Sequence, residues 1–338
     1  MQAFKSLVQQ LPKTELHLHI EGTLEPNMVM ALAVRNNITL PYQNAEELAA
    51  LYDFENLQSF LDLYYQATDV LRKEQDFYDL TWAYLQKCAE ENVVHVEIFF
   101  DPQSHTDRGV AFADVINGIH RALMQAKTEL GISSLLIMCF LRHLPEEEAL
   151  KTWQQAQPWL HCIAGVGLDS SEKGFPPKLF QRVFAEAKAA GLKCVAHAGE
   201  EGPAEYIEQA LDLLNIDRID HGVRITESAE LRERVKNTGI ALTVCPLSNI
   251  SLCVYDNLKE HPLLTLLDEG LNVMINSDDP AYFGGYLNQN YLAVIESLKP
   301  NKEQLVQLIK NSFTASFLPQ AEQTQWLNKI DQLMAENF

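Results

Sequence analysis

Two histidines separated by a single residue, His17 and His19 in Thr14-Glu15-Leu16-His17-Leu18-His19, constrain this chain more than any other feature. Alternate side chains of an extended strand point the same way, so both imidazoles project together from one short strand. The run stops at Glu21-Gly22-Thr23, which places the pair at the strand's carboxyl end, where parallel α/β architectures keep their chemistry. Two metal ligands set there require the remaining chain to bring further ligands to the same rim.

The pattern of the rest of the chain meets that requirement. Short apolar, β-branched runs recur at 15–19, 93–100, 134–141, 162–168, 193–198, 218–220, 241–245 and 272–276, with helical patterns such as 177–190 and 204–214 between them. About eight strands alternating with helices predict a parallel (β/α)8 barrel. No Gly/Ser linker or internal repeat interrupts the 338 residues, so one domain, 1–338, is expected. The connection after the first strand is abnormally long and reads as several helices, a cap over the barrel mouth at about 24–92. Within it Leu57, Phe60, Leu61, Tyr64 and Tyr65 fall at helical spacing, which favours packing onto the barrel over substrate contact.

Charge narrows the partners. With 46 acidic against 26 basic residues the net charge is −20, which repels phosphate backbones and anionic lipid surfaces. Nucleic acid and membrane partners are therefore not expected; a neutral or cationic small molecule is, and a homo-oligomer is compatible with the composition. The first ten residues hold one lysine and no apolar core of a leader, and the longest apolar run, 135–141, is far too short to span a bilayer, so a cytoplasmic protein is expected. Six cysteines include no C-x-x-C pair and read as reduced, structural residues.

The fifth predicted strand ends in His197-Ala198-Gly199-Glu200, the sixth in Asp220-His221-Gly222, and the eighth in Asn276-Ser277-Asp278-Asp279-Pro280. A lone histidine at a strand end is usually a hydrogen-bonded structural residue, and adjacent aspartates usually form turns. Four histidines and three carboxylates all leaving strands at one rim are not accounted for by turn chemistry. Three imidazoles (His17, His19, His197) and one carboxylate make a nitrogen and oxygen site suited to one zinc ion with a position open for water. His221 and Asp278 are placed to take or orient a proton of that water, and Glu200 to act as general acid. His95-Val96-Glu97 matches half of the cysteine-ligated nucleobase deaminase signature, but the P-C-x-x-C half is missing, so it is read as part of the second strand.

Together Leu16-His17-Leu18-His19-Ile20-Glu21-Gly22, His197-Ala198-Gly199-Glu200, Asp220-His221-Gly222 and Asn276-Ser277-Asp278-Asp279-Pro280 resemble the adenosine and adenine deaminase family of metal hydrolases, in family order and across essentially the whole chain. The resemblance implies one zinc on His17, His19, His197 and Asp278, and replacement of a purine 6-amino group by oxygen with release of ammonia. It assigns Glu200 to protonation of purine N1, His221 to the attacking water and Asp279 to N7. Two departures bear on the substrate. Glu21 stands where adenosine deaminases typically carry an aspartate associated with the ribose, and its extra methylene is expected to take up sugar volume, although a surface carboxylate is the bland alternative. Gly167-Leu168-Asp169-Ser170-Ser171-Glu172 replaces the usual Leu-Ala-Gly-Asp-Glu, while Phe140-Leu141-Arg142-His143-Leu144 and the run 281–286 are similar to the bacterial and fungal adenine deaminase branch. The expected reaction is adenine to hypoxanthine in purine salvage, with adenosine to inosine as the alternative.

Overall fold

The computed structural model describes residues 2–337. Its centre is one sheet of eight parallel strands in sequence order. They are β1 (Lys13–His19), β2 (Val93–Phe100), β3 (Ser133–Leu141), β4 (Gly165–Asp169), β5 (Lys193–Ala198), β6 (Arg218–His221), β7 (Leu242–Val244) and β8 (Val273–Ile275). The sheet curls until its two ends meet: Leu18 forms a parallel bridge with Asp278, where His19 N–H donates to Asp278 O and Asp278 N–H to His17 O, each at 3.1 Å. With helices on the outside this is the (β/α)8 barrel that the alternation predicts.

All eight runs are strands. β2 and β5 match the predicted limits, and β7 and β8 are only three residues long. The pattern at 177–190 is a 3-10 turn, Pro177–Phe180, followed by the helix Gln181–Ala189, and that at 204–214 changes from α-helix to a π-helical turn at Ala210–Leu214. The main apolar core lies between strands and outer helices, where Leu18, Ile98, Val166 and Ile219 pack with helix residues such as Ile119 and Phe184. A smaller cluster, Phe99, Ile137, Cys139 and Val195, fills the barrel interior. Beneath it Glu97 and Arg218, both fully buried, form an ion pair, and Glu97 also accepts from Phe317 N–H and faces His95 Nε2. His95-Val96-Glu97 is thus a stretch of β2 serving the barrel floor.

Between β1 and β2 the chain forms helices Pro26–Asn36, Ala45–Ala49, Leu57–Thr68 and Glu74–Glu90. Leu57–Thr68 starts on a reciprocal cap, Asn56 Oδ1 accepting from Ser59 N–H at 3.1 Å while Asn56 N–H donates to Ser59 Oγ at 3.2 Å. Leu57, Phe60, Leu61 and Tyr64 give this helix one buried stripe. Among the described residues all six cysteines are unpaired, and no helix is long and apolar enough to cross a membrane.

Candidate active site

The carboxyl ends of β1, β5, β6 and β8 bring six predicted residues together. Both ring nitrogens nearest the barrel axis from β1 face one oxygen of Asp278: His17 Nε2 lies 3.2 Å and His19 Nε2 3.5 Å from Asp278 Oδ1. His19 Nε2 is 3.1 Å from His197 Nε2, and His221 Nε2 is 3.6 Å from Asp278 Oδ2 and from Glu200 Oε1. All six side chains are buried.

These separations test whether the group fits a metal ion. Donor atoms about 2.0–2.1 Å from a tetrahedral ion stand roughly 3.3 Å from one another, and the observed 3.1–3.5 Å between ring nitrogens and carboxylate oxygen are of that size. His17 Nε2 is buried and has no hydrogen-bond partner, a vacancy that a cation satisfies. The far nitrogen of His17 is hydrogen-bonded as a ligand's is, while those of His19 and His197 only face carboxylates. His17 Nδ1 is 2.8 Å from Thr243 Oγ1, whose hydroxyl donates to Asp220 Oδ1 at 3.0 Å, so the ring is left donating through Nδ1 with Nε2 free as a lone pair. His197 Nδ1 faces Asp220 Oδ2 at 3.7 Å and His19 Nδ1 faces Asp169 Oδ2 at 3.5 Å. His17, His197, His221 and Asp278 each bring a ligand atom within 4.8 Å of the others, and His19 does so with Asp278 and Asp279, so the residues present fit a divalent ion.

Two site residues are held in backbone conformations that non-glycine residues seldom adopt. His221 has φ 60° and Asp278 φ 64°, the left-handed region, a strain that the surrounding pairing must hold in place. Gly22 has a different task, since a Cβ there would lie 2.0 Å from Asp279 Oδ1 and 2.7 Å from Asp279 Cα. Only glycine lets the turn after β1 lie against Asp279, whose own Oδ1 is buried and unpartnered.

The electrostatics separate the carboxyl groups. Burial pushes Glu200 well above the usual carboxylate range, and the neighbouring charges of Asp278, Glu172 and Glu201 push the same way. Asp279 is raised by burial and by Asp278 beside it. Asp278 goes the other way: against the upward push of burial, His17 and His221 hold it well below its ordinary value. Burial and the neighbouring imidazoles keep His197 neutral, and His221 is lowered to about 3 by burial and by His17. The arrangement therefore offers neutral nitrogen donors, the ionised carboxylate of Asp278 and two carboxyl groups, Glu200 and Asp279, pushed toward the protonated form, around a single cavity.

These groups line a cavity at the mouth of the barrel. Its floor is His19, His197, His221, Glu200, Asp278 and Asp279, and its roof is the helix Leu57–Thr68. Leu57, Phe60, Leu61, Tyr64 and Tyr65, which the sequence reading assigns to packing, all line it, so the apolar stripe both packs and roofs the site. Tyr65 Oη meets Ser170 Oγ at 2.8 Å, and Leu57 N–H donates to Glu201 Oε1 at 3.2 Å. Asp101 and Asp169, at the ends of β2 and β4, complete the wall; Asp101 Oδ1 and both Asp169 carboxylate oxygens lack hydrogen-bond partners. Sequence reading missed both, because a single aspartate at a strand end carries no distinguishing spacing. Glu21 is fully buried, not a surface carboxylate. Its Oε1 accepts from His105 Nε2 at 2.8 Å and from Asp101 N–H at 3.1 Å, which sets it behind Asp101 rather than in the cavity wall.

Comparison with known proteins agrees with this geometry. Residues 12–333 match the family described as Adenosine deaminase. A protein named adenine deaminase from Hahella chejuensis is 57% identical over 330 residues, 98% of this chain and 99% of its own. The crystal structure of an adenine deaminase from Arthrobacter aurescens superposes with a TM-score of 0.95 at 48% identity, covering 96% of this chain and 99% of that one. An amidohydrolase from Burkhoderia ambifaria, solved with bound Zn, has a TM-score of 0.90 at 27% identity over 99% of this chain and 94% of its own. A histidine and aspartate cluster at the rim of an eight-stranded barrel, with a family match that spans nearly every residue, leaves one conclusion: this chain belongs to the adenosine deaminase family.

Proposed function

We propose that the chain hydrolyses adenine to hypoxanthine and ammonia, using one zinc ion per chain held by His17, His19, His197 and Asp278. The observation that carries the reading is the convergence of a buried carboxylic acid, Glu200, and of Asp278 on one neutral imidazole, His221 Nε2, each at 3.6 Å, under an apolar roof. A divalent ion on these ligands supplies Lewis acidity that brings the pKa of water from about 16 to about 7. Glu200, kept protonated by burial and negative neighbours, gives its proton to N1 as water oxygen adds to C6, so no anion builds up on the ring. His221 and Asp278 receive the proton from water and pass it to the amino group, which leaves as ammonia. Glu200 recovers its proton as the C6 oxygen becomes a carbonyl. Asp279 favours the protonated form, which is the form able to donate to N7.

Relatives named adenine deaminase favour the free base over the nucleoside. The cavity supports that choice: Glu21, braced by His105, fixes Asp101 against the space beside the purine, and the helix Leu57–Thr68 closes the mouth. On this reading residues 1–338 form one domain with about 24–92 as its cap, acting in cytoplasmic purine salvage. The test is a side-by-side rate assay of the purified protein. Adenine is expected to have the higher kcat/KM by far; a tenfold or greater preference for adenosine overturns the assignment.

A further inference from the structure

The loop after β4 contains a buried carboxylate that touches no reacting group in the scheme above and acts on Glu200 there only as a neighbouring charge. Glu172 is fully buried, and its two oxygens accept four successive backbone N–H groups. Gly199 N–H donates to Oε1 at 2.6 Å, and Glu200, Glu201 and Gly202 N–H donate to Oε2 at 3.0, 2.8 and 2.6 Å. A row of consecutive amides turned onto one acceptor is a concave anion cradle, here filled by the chain's own side chain. The fit is tight: a Cβ on Gly202 would come within 2.7 Å of Glu172 Oε1, and Gly199 takes φ 73° to begin the turn. Arg142, fully buried at the exit of β3, extends the grip by donating through Nη1 to His197 O at 2.6 Å and through Nε to Phe175 O at 2.8 Å. His197 and each residue from Gly199 to Gly202 are thereby tied to side chains outside the segment.

Resting on the function proposed above, we infer that Glu172 is the positioning residue for the acid: by holding four amides at once it fixes the turn from which Glu200 reaches the purine. An acid on an exposed strand-to-helix turn would sample positions, and a displacement of about 1 Å can cost about a hundredfold in rate. Glu172 lies outside the group of donors around Asp278, so its effect is expected in the rate of the chemical step and not in metal binding.

The test uses full-length, metal-loaded protein. In the wild type, the amides of Gly199, Glu200, Glu201 and Gly202 are expected to resist hydrogen exchange; if they exchange at the rate of an open loop, the inference fails without recourse to a variant. In Glu172→Gln, which replaces an acceptor oxygen by an N–H donor facing those amides, the four sites are expected to exchange at least about tenfold faster. The kcat on adenine is expected to fall about tenfold to a hundredfold, within what a general acid supplies, with KM within about threefold and metal content unchanged. Should Glu172→Gln not fold, Glu172→Asp, which keeps the charge but is one methylene too short to span the cradle, is expected to show the same changes at smaller size. A loss confined to KM, a loss that tracks missing metal, or unchanged exchange at the four amides overturns it. A wild type without adenine turnover but with the four amides protected would instead sink the function reading and leave the cradle standing.

Discussion

Glu200 has the surroundings of an acid. It is buried among Asp278, Glu172 and Glu201, with Arg142 alone opposing them, so its neutral form persists to higher pH than that of an exposed glutamate. In the role proposed for it, the proton for N1 is present below the raised pKa and is lost as pH rises through it, so Glu200 is expected to govern an alkaline fall of kcat. Glu200→Gln is expected to retain fold and metal while turnover drops by about 10²–10⁴, a result read from ammonia release together with metal analysis; full activity in the variant removes the assignment. At this scale the sequence is informative wherever spacing carries the meaning. His17 and His19 announce themselves by alternation, and His197 and Glu200 by sharing one strand end. The left-handed backbones of His221 and Asp278 left no trace, because neither residue is a glycine, and Asp101, Asp169 and Glu172 look like ordinary turn residues until the fold brings them to the cavity or the cradle.

Strands were easier to read than their interior faces. The β-branched runs identify all eight strands because each is bounded by a helical pattern, yet the charges at the barrel floor resemble solvent-facing positions in sequence. Lys13, the first residue of β1, is fully buried, and its Nζ donates to Val8 O at 2.6 Å and Leu11 O at 2.9 Å. Burial lowers its pKa from 10.5 to about 7, with Glu91 partly opposing. Between pH 7 and 10.5 the unfolded chain therefore binds a proton that the folded chain does not, so this group makes stability rise with pH, by at most about 1.4 kcal/mol per pH unit. Comparing melts of wild type and Lys13→Met from pH 7 to 9, the wild type is expected to gain on the variant by about 1–3 kcal/mol; a constant gap would show that the lysine is not held in its neutral form. The helix Leu57–Thr68 shows the complementary difficulty. Its stripe is plain in the sequence, but an apolar stripe packed on a barrel and one roofing a cavity have the same spacing, and only the three-dimensional position of Tyr65 over Ser170 tells them apart.

For the whole molecule, the ligand set joins elements far apart in sequence. The donors come from β1, β5 and the segment after β8, so an ion bound to them crosslinks the first strand to the last. Ligand binding to the folded state alone stabilises it by about 4 kcal/mol at a thousand times the dissociation constant. Chelator-treated protein is expected to lose ammonia release and to melt at a lower temperature, and added zinc to restore both; full-speed turnover after chelation would refute the metal assignment. The barrel itself was legible in outline from the alternation of strand and helix, whereas the way its ends join was not, since Asp278, which closes it against Leu18, falls outside any strand-like run. Leu18 meets Asp278 there, with the amides of His19 and Asp278 as the two fastenings. The hoop is thus buckled by the same residue proposed to grip the cation, and an emptied site is expected to slacken the circle at its joint before anywhere else on the circumference.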